Sequence, residues 1–147
     1  MPSVQLIPHL IVSNGLEAIA FYKKALGAVE TMPPNLTPDG RQVVHAELRI
    51  GDALFYLCDD FTDEQRRNPQ ALGGSGLILN LTVDDADALF ERAVEAGATV
   101  TMPIEDTFWG ARYGMFTDPS GHAWAINQHV REVSPEEIKQ GSDAYFG

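Results

Sequence analysis

Several common features are scarce or missing in this sequence. Cys58 is the only cysteine, so no disulfide can form within the chain. Apolar runs such as 18–22 and 77–79 are far shorter than the roughly 20 residues that a membrane-crossing helix needs. The first residues also lack the basic segment and apolar stretch of a secretory signal. These absences predict a cytoplasmic chain with no membrane partner.

Positive charge is scarce as well. Ten Lys and Arg residues stand against 21 Asp and Glu residues, which gives a net charge of −11. Nucleic-acid affinity depends on basic side chains that displace counterions from phosphates, so nucleic acid and anionic membranes are disfavoured as partners. The acidity indicates either simple solubility or attraction of a cationic ligand. A length of 147 residues predicts one domain spanning 1–147.

An internal repeat is the most informative positive feature. Residues 7–33 align with residues 78–103 once a single residue is skipped, and the Thr-Met-Pro string at 31–33 then lies over the same string at 101–103. Self-similarity at a fixed offset, here roughly 70 residues, indicates two copies of one structural unit. The stretch 59–76 is predicted to join the two copies.

Hydrophobic periodicity predicts the same element order in both copies. Each begins with an apolar run of strand length, continues with a helix that ends at glycine, and finishes with further strands. The predicted elements are strand 6–12, helix 16–26 and strands 28–32, 42–50 and 52–58, then strand 77–83, helix 86–96 and strands 113–117 and 123–128. The pairs Ser13-Asn14 and Asp84-Asp85 provide N-cap side chains for the two helices. Ser134 followed by Pro135 is typical of a helix start and predicts a further helix in the tail.

Specific strings give the repeat a family resemblance. FYKKALGA at 21–28, HAELRIGD at 45–52, FWGARYG at 108–114 and DPSGH at 118–122 resemble the vicinal oxygen chelate superfamily, and more narrowly its PhnB-like branch. This superfamily includes glyoxalases, bleomycin-resistance proteins and extradiol dioxygenases. The resemblance covers about 6–130.

The resemblance implies an α+β fold. Its tandem βαβββ modules would form a curled mixed sheet around one ligand cavity, with the helices outside. Module one would span about 4–60 and module two about 76–130, and the C-terminal accessory segment would span 131–147. Fold alone does not fix a reaction, so the function must be argued from the site.

Strand alternation predicts which side chains face the cavity. In the first strand His9 lies opposite the apolar set. In the strand 43–50, His45 and Glu47 form a polar row, whereas Val44 belongs to the row that should face the helix. Asn80 corresponds to His9 in the second copy. In the strand 52–58, Phe55 is expected on the same face as His9 and Tyr56 on the outer face.

A metal site is not expected. The resemblance assigns the four ligand positions of the family's metal enzymes to His9, Phe55, Asn80 and Ala125. Phe and Ala offer no donor atom, and Asn binds transition metals weakly. No cofactor is therefore expected, although a divalent metal at a rearranged site built on His9 with His45 or Glu47 is an alternative.

Two groups of residues are candidates for chemistry and binding. His45 as general base, with Glu47 as its orienting carboxylate, forms the catalytic candidate; His9 is an alternative base, and a solvated strand face is the structural alternative. Arg112 could grip a carboxylate or phosphate and Trp109 could provide a flat wall, unless they serve core or dimer packing. The predicted ligand-binding residues are His9, Phe55, Asn80, Trp109, Arg112 and Tyr113.

The sequence thus predicts binding of a small organic molecule in a cavity between the modules, with the reaction left open. One alternative is a metal-dependent lyase or dioxygenase of the same superfamily, and another is a non-catalytic protein that sequesters an antibiotic. A homodimer is expected from the resemblance and from Tyr145 and Phe146, two aromatic residues at the tail that a neighbour could cover.

Overall fold

The computed structural model describes residues 3–61 and 66–147. Within these residues it has nine strands and four helices, in the order expected of two βαβββ modules. The strands are β1 His9–Val12, β2 Val29–Glu30, β3 Asn35–Leu36, β4 Val43–Ile50, β5 Ala53–Asp59, β6 Ile78–Thr82, β7 Thr99–Asp106, β8 Ala111–Thr117 and β9 Ala123–His129. The helices are α1 Gly15–Leu26, α2 Pro69–Leu72, α3 Ala86–Glu95 and α4 Pro135–Phe146.

The strands form two mixed sheets. The first has the order β1-β5-β4-β2, with β3 also paired to β4, and the second has the order β6-β9-β8-β7. In each sheet the opening strand of the module lies at an edge and runs parallel to the closing strand, whereas the other pairs are antiparallel. The α+β class and the tandem modules are therefore confirmed, and the two sheets do not close around a cavity.

Helices α1 and α3 cover one face of the sheets and contact each other. Tyr22 of α1 and Phe90 of α3 join Leu48, Phe116 and Ile126 of the strands in one buried core. The apolar rows of the strands supply the opposite wall of this core, as their alternation predicts. In the part of the chain that the structure describes, no helix is long and apolar enough to cross a membrane.

Helix starts follow the predicted chemistry. The Asn14 side chain accepts a hydrogen bond from the Glu17 N–H at the start of α1, and Asp85 is the N-cap of α3. Ser134 and Glu137 form a capping box at the start of α4. Such caps satisfy N–H groups that have no partner within the helix.

A buried carboxylate joins the two modules. Asp118, only 5% exposed, accepts hydrogen bonds from the Tyr22 hydroxyl of module one and from Trp124 Nε1 at 2.9 Å. The backbone N–H groups of Ser120 and His122 also donate to it, at 2.9 and 3.1 Å. Burial and Asp118 raise the pKa of Tyr22 well above its usual value, so this hydroxyl keeps its proton and remains a donor.

Further polar contacts reinforce this joint. The imidazole Nε2 of His122 lies 2.7 Å from the carbonyl oxygen of Ile11 at the edge of β1. Arg92 of α3 donates to the carbonyl oxygens of Lys24 and Lys23, at 2.7 and 3.2 Å, and so caps the C-terminal end of α1. Carbonyl groups at a helix end lack partners within the helix, and a cation there is favourable.

The beginning of β4 departs from the predicted alternation. Val43 is fully buried and Val44 is 38% exposed, so the prediction that Val44 faces the helix is wrong. Along β3, the adjacent residues Asn35 and Leu36 pair with His45 and Val43, which leaves Val44 as an extra residue in β4. A bulge of this kind shifts the alternation by one residue.

Candidate functional site

Three aromatic rings meet on the face of the first sheet that lies opposite the helices. The ring centroids of His9 and His45 are 5.9 Å apart, those of His9 and Tyr56 are 6.0 Å apart, and those of His45 and Tyr56 are 4.8 Å apart. We call these three residues the imidazole cluster. The predicted grouping of His9 with His45 is present in the structure, and Tyr56 is a member that the sequence analysis missed.

Strand register explains the imidazole cluster. His9 is the partner of Tyr56 in the parallel pair of β1 and β5, and Glu47 is the partner of Tyr56 in the antiparallel pair of β4 and β5. Paired residues point to the same side of a sheet, and residues two apart along a strand do so as well. Tyr56 therefore lies between His9 on one side and the row of His45 and Glu47 on the other.

The electrostatics of the cluster favour a neutral His9. Partial burial, then the nearby His45, then the charge of Arg66 lower the pKa of His9 below its usual value of 6.5. All three effects penalise the protonated imidazole. His9 is consequently neutral near pH 7, a state in which one ring nitrogen donates a hydrogen bond and the other accepts one.

Glu47 lies on the same face and is partly buried. Its carboxylate accepts a hydrogen bond from the Thr31 hydroxyl, and its backbone oxygen accepts one from the Thr31 N–H at 3.1 Å. Thr31 follows β2, on the side of β4 away from β5. Glu47 is thus held toward the β2 edge, and its predicted role as the residue that orients His45 stays a prediction.

Phe55 does not face the cluster. It pairs with buried Leu48, is 4% exposed, and packs against the rings of Tyr22 at 5.3 Å and Trp124 at 5.9 Å. Grouping Phe55 with His9 on one face is therefore wrong by one residue, since Tyr56 occupies that position. Residues 54–58 read Leu-Phe-Tyr-Leu-Cys, so no polar alternation marks the two faces of this strand.

An apolar crevice of about 710 Å³ lies between the two modules, where residues 5–8, just before β1, and strand β5 approach β6. Phe55 lines it from module one, and Asn80 adds a polar group from module two. Ile7 and Leu54 also line it, and they precede His9 and Tyr56 by two residues. The crevice thus begins two residues along the chain from His9 and Tyr56 of the imidazole cluster.

Trp109 and Tyr113 form a second aromatic group, with ring centroids 5.6 Å apart. Phe108 packs against Trp109 at 4.9 Å and approaches Tyr145 of α4 at 6.5 Å. Tyr113 belongs to β8, in the second sheet, whereas the imidazole cluster belongs to the first. Within one chain, the structure places the two groups of predicted ligand-binding residues on different sheets.

Arg112 is engaged elsewhere. Its guanidinium forms ion pairs with Asp87 of α3 at 3.0 Å and with Asp106 of β7 at 3.4 Å. The hydrogen bond with Arg112 lowers the pKa of Asp87 and raises that of Arg112. The expectation that Arg112 grips a ligand is therefore corrected. Its guanidinium lies on the face of the second sheet that α3 covers, where it pairs with the carboxylate of Asp87.

The residues at the family's metal positions do not fit a metal. Register pairs His9 with Tyr56 in one sheet and Asn80 with Ala125 in the other. Ala125 has no donor atom, and an amide is a weak ligand for transition metals. Among residues 3–61 and 66–147, no group of three or more His, Cys, Asp or Glu side chains is placed to hold a metal ion.

Comparisons with known proteins agree with this fold. The chain is 46% identical over 138 residues to protein Mb0911c of Mycobacterium bovis, covering 91% of this chain and 89% of that protein. The structure resembles PA1353 from Pseudomonas aeruginosa, with a TM-score of 0.67, 29% identity, and coverage of 88% of this chain and 100% of that chain. It also has the fold of TnmS3, an antibiotic binding protein from Streptomyces sp. CB03234, with a TM-score of 0.62, 24% identity, and coverage of 88% and 100%.

The sequence model of the Glyoxalase/Bleomycin resistance protein/Dioxygenase superfamily matches residues 5–126. This range includes the first sheet, all of the second except the end of β9, the imidazole cluster and the joint at Asp118. The chain therefore belongs to the glyoxalase, bleomycin resistance protein and dioxygenase superfamily.

Proposed function

We propose that the chain binds a small organic molecule along the imidazole cluster and the adjoining crevice. This proposal rests on the imidazole cluster, in which the ring centroids of His9, His45 and Tyr56 lie within 6.0 Å of one another beside an apolar crevice of about 710 Å³. Apolar walls with a few convergent polar groups are typical of small-molecule sites.

The same proposal includes a proton transfer. His9, held neutral, and His45, its neighbour in the cluster, are the groups that accept a proton from the ligand, and Tyr56 donates a hydrogen bond to it. Glu47 contributes a negative charge at the β4 side of the site. No step uses a metal, because the residues at the family's ligand positions do not fit one.

A non-catalytic antibiotic-binding role is the second candidate. The edge-to-face pair of Trp109 and Tyr113 and the mostly apolar crevice favour it, since aromatic walls hold a ligand without reacting with it. TnmS3 is an antibiotic binding protein with this fold. Binding of a ligand that is recovered chemically unchanged after long incubation would favour this candidate over catalysis.

The proposal also includes the PhnB-like branch, a cytoplasmic location, one domain over 1–147 and a homodimer. Tyr145 and Phe146 are 72% and 80% exposed, which supports pairing with a second copy. Light scattering at micromolar concentration should give twice the chain mass of 16.1 kDa. A mass of one chain would refute the homodimer.

The site is tested by screening small organic compounds against the full chain and its His45→Ala variant. We expect compounds that shift the His9 and His45 ring signals in NMR spectra to bind the variant at least about tenfold more weakly, without a lower melting temperature. His129→Ala, which removes an exposed histidine on β9, is the matched control. Equal binding to wild type and His45→Ala would contradict the proposed site.

A further inference from the structure

The imidazole cluster gathers hydrogen-bond donors on a chain whose net charge is −11. The rings of His9 and His45 each have an N–H donor, and Tyr56 has a hydroxyl. The positive charge of Arg66 also acts on His9. On so acidic a chain, a local group of donors with a nearby cation is suited to an oxyanion rather than to a cationic ligand.

The acidic group on this face lies farthest from His9. Thr31 bonds the carboxylate of Glu47 at the β2 side of β4, whereas His9 lies on β1 beyond β5. Tyr56 is the cross-strand partner of Glu47, and His45 lies two residues from it on β4. An anion therefore avoids the closest approach to Glu47 when it lies nearest His9.

The crevice defines the rest of the ligand. Ile7 and Leu54 precede His9 and Tyr56 by two residues, which in a strand is about 7 Å. Leu54 pairs with Arg49, in the row that continues from His45 and Glu47. A ligand with its polar end at the cluster can thus place an apolar body of several carbon atoms against these side chains.

We propose that the site selects small organic acids, whose carboxylate or phosphoryl oxygens accept hydrogen bonds from His9, His45 and Tyr56 and whose apolar body occupies the crevice. This inference rests on the proposed function and adds the chemical class of the ligand. It assigns Tyr56 a role as a specificity-determining residue, through a hydroxyl that meets the anionic group.

The test uses three probes on the full chain. 4-Phenylbutyrate has both the charge and the apolar body, 4-phenylbutyramide has the body without the charge, and acetate has the charge alone. We expect calorimetry to show that phenylbutyrate binds at least about tenfold tighter than either of the other probes. We also expect phenylbutyrate to shift the ring signals of His9 and His45.

Variants then separate charge recognition from packing. His9→Phe and Tyr56→Phe each remove one donor and should weaken phenylbutyrate binding about tenfold while leaving phenylbutyramide binding unchanged. His129→Phe on β9 is the control and should bind both probes like wild type. Tyr56→Phe loses only a hydroxyl, so it provides a test if His9→Phe does not fold.

Two outcomes overturn the inference in different ways. If phenylbutyramide binds at the cluster as tightly as phenylbutyrate, selection for acids is wrong while the proposed small-molecule site stands. Phenylbutyrate, phenylbutyramide and the neutral compounds of the screen could all leave the His9 and His45 signals unchanged. In that case both the acid selection and the proposed site are wrong.

Discussion

The closing hairpins of the two modules have turns of different lengths, and the longer turn, in module two, forms hydrogen bonds to module one. In module two, five residues connect β8 to β9, and Asp118 and His122 among them bond to Tyr22 and Ile11 of module one. In module one, β4 and β5 are connected by Gly51 and Asp52 alone. That short turn borders a crevice of about 810 Å³ between the modules.

The comparison shows that a repeated fold need not repeat its contacts. In both modules, a side chain near the end of the last strand accepts a hydrogen bond from the first N–H of the helix. Asp59 accepts from Gly15 at 3.0 Å, and Gln128 accepts from Ala86 at 2.9 Å. This contact lies within one module and recurs. The hydrogen bonds of Asp118 and His122, in contrast, cross from module two to module one, and they come from the longer turn.

The largest expected effect comes from breaking the joint at Asp118. Asp118→Ala leaves the Tyr22 hydroxyl, the Trp124 N–H and two backbone N–H groups without their acceptor in a buried place. We expect the free energy of unfolding to fall by about 3 kcal/mol or more. Urea unfolding measures this change.

The matched control is Asp52→Ala in the short turn of module one, where the side chain is exposed. We expect a change within about 0.5 kcal/mol. Similar losses for the two variants would remove the distinction between the turns.

The next effect concerns the bulge at the start of β4. Val43→Ala should lower the free energy of unfolding by roughly 1 to 3 kcal/mol, because a fully buried side chain leaves a void. Val44→Ala should cost less than about 0.5 kcal/mol, since Val44 is partly exposed. Thermal unfolding of both variants checks the order, and a larger loss for Val44→Ala would mean that the bulge is absent.

A smaller effect is expected where module two caps the helix of module one. Arg92→Met keeps much of the apolar stem but loses the hydrogen bonds to the carbonyl oxygens of Lys23 and Lys24. The unfolding free energy should fall by about 1 kcal/mol. Arg49→Met, at an exposed position on β4, is the control and should be close to neutral. If both variants lose the same stability, the cap contributes nothing.

The smallest effect lies at the surface of module two. Arg112 lowers the pKa of Asp87, so the stabilisation from this pair is present above the ordinary value near 3.8 and disappears as pH falls through the lowered value. In NMR titrations, Arg112→Gln should raise the Asp87 pKa toward that ordinary value. The pKa of Asp39 in module one, lowered by the Thr37 hydroxyl and the Arg41 N–H, should stay unchanged. An unaltered Asp87 titration in the variant would contradict the ion pair.

Much of the fold could be predicted because its signals are local. The helix starts at Asn14, Asp85 and Ser134 depend on residues within one turn, and the structure confirms all three. Strand β3 and helix α2 were not predicted, since two and four residues are too short for a periodic pattern. The face of β5 was read wrongly because Phe55 and Tyr56 are both aromatic and neither marks the buried side.

The sequence by itself determined the repeat, the family, the element order and the presence of His9 and His45 on one face. Periodicity and capping act over a few residues, so the order of amino acids is enough to specify them. The tertiary structure alone decided that Tyr56 completes the imidazole cluster, that Val43 rather than Val44 is buried, and that Arg112 is bound to Asp87. Each of these depends on register or on a partner distant in sequence, and cross-strand pairing is fixed only when the whole sheet forms.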